Sequence, residues 1–166
     1  MLANGRISFA KTPSHSSGEQ ALPGTTPTDS PVMIYDGHCG LCDHTVSHIL
    51  RHDPRGRILF AANTSEVARR ILAQHGIASD PPPESVVYIT DGRAWQKSSA
   101  VLKIARDLGG LHLLLLPGWL VPRPLRDAIY NVIARNRYRL MGRKESCRIP
   151  SPAERARFID LLDASQ

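Results

Sequence analysis

Cysteine is scarce in this chain, with three among 166 residues, at Cys39, Cys42 and Cys147. An odd and sparse set excludes the disulfide framework that holds many small secreted domains together. Long apolar runs are missing as well. The best of them, Leu111 to Leu116, stops at Pro117-Gly118, far short of the roughly 18 to 20 residues that span a bilayer. Near the N-terminus, Asn4, Gly5, Arg6 and Ser8 interrupt any apolar stretch that a secretory signal would need. A cytoplasmic protein with no transmembrane segment is therefore expected. Acidic residues are outnumbered, 15 against 21 Lys and Arg, giving a net charge of +6 and a sequence pI near 9.7. Such a balance favours an anionic partner, but no aromatic platform is interleaved with the basic residues, and no nucleic-acid partner is expected.

What is present suits one globular domain. A hydrophobic share of 42% and a charged share of 22% are ordinary for a soluble fold, and 166 residues suffice for one real core but not two. Residues 1–30, rich in Ser, Thr, Pro and Gly, lack any apolar period and read as a disordered leader.

From there the elements follow in order. Val32-Met33-Ile34-Tyr35, bounded by Pro31 and Asp36-Gly37, fits a buried strand. A helix from Cys39 to His52 places Cys42, Thr45, Val46, Ile49 and Leu50 on its core face, with His44, His48, Arg51 and His52 opposite. Ile58 to Ala62 is a second strand. Asn63 and Glu66 outline a helix start, and Val67, Ala68, Ile71 and Leu72 carry its period. After Pro81-Pro82-Pro83, Ser85 to Thr90 and Arg93 to Lys97 form a hairpin about Asp91-Gly92. Ser98 or Ser99 caps a further helix that ends at Gly109-Gly110. Strand, helix, strand, helix, hairpin, helix gives an α/β fold: a mixed four-stranded sheet flanked by helices, in the thioredoxin-like arrangement over residues 31–110.

Residues 111–166 read as a helical extension packed on that core. Leu111 to Leu116, with Trp119, Leu120 and Val121, suits a buried helix or a hydrophobic docking loop. A helix from about Leu125 to Leu140 carries Leu125, Ile129, Val132, Ile133 and Leu140 on its apolar side and Arg126, Arg135, Arg137 and Arg139 on its polar side. Ser151-Pro152-Ala153-Glu154 starts a last helix bearing Phe158, Leu161 and Leu162.

The chemistry lies in Cys39-Gly40-Leu41-Cys42. A thiolate is the nucleophile in disulfide exchange, and the unpaired amides and dipole of a helix N-terminus stabilise the thiolate in such motifs. Cys39 takes that position, with Gly37 and Gly40 expected to leave its approach open. Cys42, one turn inward and shielded, is placed to resolve a mixed disulfide. The candidate substrate-binding residues are Gly37, His38, Gly40, Leu41 and Ser85, the substrate being a protein or small-molecule disulfide or dithiol. No cofactor is expected.

A zinc site built from Cys39, Cys42, His44, His48 and His52 is the alternative, a non-enzymatic module that could also hold anions. The helical wheel turns the histidines away from Cys42, and no second Cys-x-x-Cys completes a structural site. Dithiol exchange is the better fit, and no metal site is expected.

The stretch Asp36-Gly37-His38-Cys39-Gly40-Leu41-Cys42 resembles the signature of the DCC family of thiol–disulfide oxidoreductases. Likeness continues through Phe60-Ala61-Ala62, Asp91-Gly92, Val121 to Asp127, Ala134 to Arg139 and Cys147-Arg148-Ile149-Pro150. The resemblance implies a thioredoxin-like fold, disulfide exchange and a motif that includes Asp36. Whether Asp36 accepts the Cys42 proton as a buried carboxylate or caps backbone amides at the turn stays open. Thioredoxins place a cis-proline before the third strand; here Glu84 or Ser85 takes that place, with Pro83 nearby, so Ser85 could face the sulfurs. Cys147 reads as a packing residue, with a second resolving thiol as the sharper option. Arg135, Arg137, Arg139, Arg143, Lys144 and Arg148 form a basic cluster able to hold an anionic partner.

Overall fold

At the centre lies β1 (Val32–Tyr35), every residue of it buried. A strand covered on both faces reads as a continuous apolar run, and alternation sends Met33 and Tyr35 to one face and Val32 and Ile34 to the other. A computed structural model describes residues 30–142 and 150–163. The sheet has the order β2-β1-β3-β4. β2 (Leu59–Ala62) runs parallel to β1, with Tyr35 opposite Ala62. β3 (Val87–Thr90) is antiparallel to β1, and β4 (Arg93–Gln96) antiparallel to β3. The hairpin turn holds Asp91 at φ 53° and Gly92 at φ 67°, the pair of positive values that a type I′ turn requires.

Helices cover both faces. On the first, Met33 and Tyr35 meet Val46 and Ile49 of α1 (Gly40–His52), Ile104 of α3 (Lys97–Leu108), and Phe60, Tyr88 and Phe158. On the second, Val32 and Ile34 meet Ala68, Ile71 and Leu72 of α2 (Glu66–Gln74) and Ile159 of α5 (Ile159–Asp163). This is the thioredoxin-like architecture expected from the element order. The Phe158 ring lies tilted against Phe60 at 5.3 Å, and Arg157 beside it bonds Asp53 Oδ2 and the Ile58 carbonyl, both at 2.8 Å. Those contacts fasten the C-terminal segment to the first face.

Several local expectations are corrected. Ser65, not Asn63, caps α2, its Oγ accepting the Ala68 N–H at 3.2 Å, while buried Asn63 reaches the Pro83 carbonyl. Ser98 and Ser99 lie inside α3 rather than capping it, because both hydroxyls are taken by the next long helix: Ser98 bonds Asp127, and Ser99 accepts from Arg126. Glu154 does bond Ser151, at 2.9 Å from both its N–H and its hydroxyl. No regular helix follows at once, however. A 3-10 turn (Arg155–Arg157) and an extended Phe158 come first, the latter bridged to Phe60.

The larger correction concerns α4 (Arg123–Met141). Its apolar stripe was expected to face inward, yet Leu125, Ile129, Val132, Ile133 and Leu140 are all exposed, between 46% and 65%. Arg126, Asp127, Tyr130 and Arg137 point to the body of the protein instead. Unpaired backbone groups explain the choice, since they need polar partners that leucines cannot supply. The Val86 N–H donates to Tyr130 Oη at 3.1 Å, and the Glu84 carbonyl accepts from Arg137 Nη1 at 2.9 Å. The segment before α4 is a 3-10 helix (Gly110–Leu120), not a buried one, and Leu111, Leu114 and Leu120 are exposed on it. No described helix is long and apolar enough to cross a membrane. The leader at 1–29 and residues 143–149, including Arg143, Lys144, Cys147 and Arg148, lie outside the described residues.

Candidate functional site

The sheet delivers the cysteine pair directly. β1 ends at Tyr35, Asp36-Gly37-His38 turns the chain, and Cys39, at φ −93° and ψ 118°, is the N-cap of α1. Its Sγ accepts the Cys42 N–H at 3.4 Å. A thiol thus fills the role that Ser, Thr or Asp usually takes at a helix start, facing the positive end of the helix dipole. The Cys39 N–H donates to the Asp36 carbonyl at 3.2 Å, which locks the turn. Cys39 and Cys42 are both free thiols.

Their exposure is the reverse of the expected one. Cys39 is fully buried, at 0% exposure, and Cys42 is part-exposed. The end of α4 packs on Gly40, next to Cys39. Gly40 donates its N–H to the Gly142 carbonyl at 3.3 Å, and a Cβ on Gly40 would sit 2.3 Å from the Met141 carbonyl oxygen. Gly40 therefore admits a neighbouring backbone instead of leaving the approach to Cys39 open. Burial pushes the Cys42 thiol up to about 12, and the hydrogen bond and charge of Cys39 push the same way. Cys42 holds its proton at neutral pH.

Asp36 is fully engaged. Oδ1 accepts the His38 N–H at 3.0 Å, and Oδ2 takes the Tyr138 hydroxyl at 2.5 Å and Arg137 Nη2 at 3.2 Å. Arg137, buried, lies over the Tyr138 ring and reaches the Glu84 carbonyl as well. Burial works against its charge, but Tyr138, Asp36 and Cys39 outweigh burial and hold its pKa above the ordinary guanidinium value. Burial, followed by the bond to Asp36, also holds the Tyr138 pKa up.

Of the candidate substrate-binding residues, Gly37, His38, Gly40 and Leu41 all lie in the turn and first helical residues beside the sulfurs. Ser85 lines a groove with Pro83, Tyr130 and Ala134. The one cis peptide among the described residues is Asp80–Pro81, so neither Pro83 nor the Glu84-Ser85 pair carries one. Arg137, Tyr138 and the carbonyls of Met141 and Gly142 were missed as members of the site. An arginine among arginines on an apparently solvated face carries no local signal of burial. Of the expected basic cluster, Arg137 is paired with Asp36, and Arg143, Lys144 and Arg148 lie outside the described residues. Among the described residues, the histidines His48 and His52 gather with His112, and no cysteine is part of that group.

A mixed β2-β1-β3-β4 sheet with a Cys-x-x-Cys at the helix start after its central strand defines a thioredoxin-like dithiol protein. The model of the DCC1-like thiol-disulfide oxidoreductase family matches residues 33–143, and the chain belongs to that family. It is 39% identical over 128 residues to the uncharacterized protein YuxK of Bacillus subtilis (strain 168), covering 77% of this chain and 93% of that one. It is 38% identical over 121 residues to a chloroplastic DCC family protein of Arabidopsis thaliana, covering 72% of this chain and 69% of that one. No solved structure matches.

Proposed function

We propose that the protein exchanges disulfides through Cys39 and Cys42. The observation that carries this reading is Cys39 Sγ at the α1 N-cap, 3.4 Å from the Cys42 N–H, in a chain of the oxidoreductase family. Cys39, as thiolate, attacks one sulfur of a substrate disulfide; that bond breaks, and the first substrate thiolate leaves and takes a proton from solvent. Cys42 then attacks Cys39 Sγ in the mixed disulfide, its proton passing to the departing substrate sulfur. The second substrate thiol departs, a Cys39–Cys42 disulfide remains, and two electrons have passed to the substrate. The reverse sequence oxidises a dithiol.

Asp36 is a positioning residue in this scheme. Its bonds to the His38 amide, Arg137 and Tyr138 support the turn-capping role over that of proton acceptor. Because Cys39 is buried, a substrate reaches it when the Met141–Gly142 end of α4 moves aside, with Gly37, His38 and Leu41 bordering the path. The cytoplasm, where reducing conditions keep dithiols free, is the proposed setting.

Trapping tests the roles. Incubated with a mixed-disulfide model substrate, Cys42→Ser is expected to accumulate a covalent adduct on Cys39, since the resolving thiol is gone. Cys39→Ser keeps an N-cap oxygen and is expected to trap nothing. Equal trapping by both variants would overturn the assignment.

A further inference from the structure

We propose that His48, His52 and His112 form a binding site for one divalent transition-metal ion of the zinc, copper and nickel group, separate from the cysteine pair. α1 carries His48 and His52 four residues apart on its outward side, the spacing that stacks side chains on one helix face. His112 comes from the 3-10 helix (Gly110–Leu120). One ring nitrogen from each of the three lies within 4.8 Å of the others. The His48 and His52 rings stack at 4.1 Å, and His112 stands edge-on to both at 5.1 Å.

Hydrogen bonds to backbone carbonyls fix two of these rings in the ligating tautomer. His112 Nδ1 lies 3.1 Å from the Gly109 carbonyl, and His52 Nδ1 lies 2.8 Å from the His48 carbonyl. A carbonyl only accepts, so each Nδ1 carries the proton and each Nε2 presents a lone pair. Metal-ligating histidines are oriented in this manner, by donation from the second ring nitrogen to a carbonyl. His48 Nε2 then donates to His112 Nε2 at 2.8 Å. A metal ion takes the place of that shared proton, and neutral His48 ligates through Nε2 with its proton moved to Nδ1.

Tetrahedral ligation at about 2.0 to 2.1 Å sets neighbouring nitrogens roughly 3.3 Å apart, so His48 and His112 need to separate by only roughly 0.5 Å. His52 is exposed and the other two half-buried, which leaves the rings free to make that shift. Imidazole nitrogens suit zinc, copper and nickel. Three protein ligands leave the fourth position to water, beside Leu108, Leu111 and Leu115. The ion would tie the end of α1 to the 3-10 helix. Six residues of helix, about 9 Å of rise, separate Cys42 from His48.

Zinc binding by the full-length chain with Cys39, Cys42 and Cys147 all replaced by Ser tests the proposal independently of the redox pair. After chelator treatment, calorimetry and metal analysis are expected to find one zinc per chain and a rise in Tm on binding. His48→Ala or His112→Ala should weaken binding at least about tenfold, the loss typical of an outer-shell partner alone; His75→Ala should not. If either alanine variant fails to fold, the matching His→Gln variant replaces it. Uptake well below one equivalent, or uptake that survives both substitutions, would overturn the site.

Discussion

Arg137 and Asp36 meet across 101 residues of chain, Nη2 to Oδ2 at 3.2 Å, with side chains only 10% and 12% exposed. The pair joins the turn that carries the cysteines to the helix that covers them. Removing one member of a buried pair strands the other's charge, a loss of about 3 to 5 kcal/mol. Asp36→Ala and Arg137→Ala are each expected to fall in that range by chemical denaturation. The double variant should cost clearly less than their sum, because the two share one interaction.

Orientation of α4 gives a second expectation. Surface substitutions away from special features change stability by roughly 0.5 kcal/mol or less. Ile129→Ser and Val132→Ser, at 57% and 61% exposure, should stay within that limit. Costs of about 2 kcal/mol or more, the range of core truncations, would mean that the apolar stripe faces inward after all.

Gly40 is a steric fulcrum. An alanine there would bring Cβ to 2.3 Å from a backbone oxygen, and backbone yields less readily than a side-chain end. Gly40→Ala is expected to cost about 1 to 3 kcal/mol, as overpacking does. It should also speed alkylation of Cys39, because the end of α4 has to move away. Lower stability with unchanged alkylation would show that α4 does not limit access.

The raised Cys42 pKa has a definite sign in stability. A thiol whose pKa goes from 9.0 to about 12 on folding holds its proton longer in the folded state. Its contribution is complete below about pH 9 and is lost as pH rises toward about 12. Stability should therefore decline over that window, and decline less steeply in Cys42→Ser. Tyr138, also raised, contributes in the same direction, so the difference between the two proteins is the quantity to measure.

Much of the fold was legible because each strand and helix carries its own period. Val32 to Tyr35 reads as a doubly covered strand, and Asp91-Gly92 as a two-residue turn, from local rules alone. Cys39 as helix cap was legible for the same reason. What failed was the choice between two faces of α4. Periodicity marks an apolar stripe but cannot say that Glu84 and Val86 offer unpaired backbone groups, or that Ser98 and Ser99 wait on α3. Those partners lie about 30 to 50 residues away in sequence, and their polar demand decided the docking. The packing of the α4 end on Gly40 and the entry of Arg137 into the site follow from that one docking, as distant as the contacts that set it. His112 escaped notice likewise, being 64 residues from His48.

The central claim is a reversible two-electron couple between Cys39 and Cys42. Equilibration in a series of glutathione redox buffers, followed by acid quench, alkylation and peptide mapping, reads it directly. The expected result is a single Cys39–Cys42 disulfide whose fraction follows a two-electron curve, about 30 mV per tenfold change in ratio, and which forms equally in Cys147→Ser. Two thiols that stay reduced throughout, or a disulfide that requires Cys147, would contradict it.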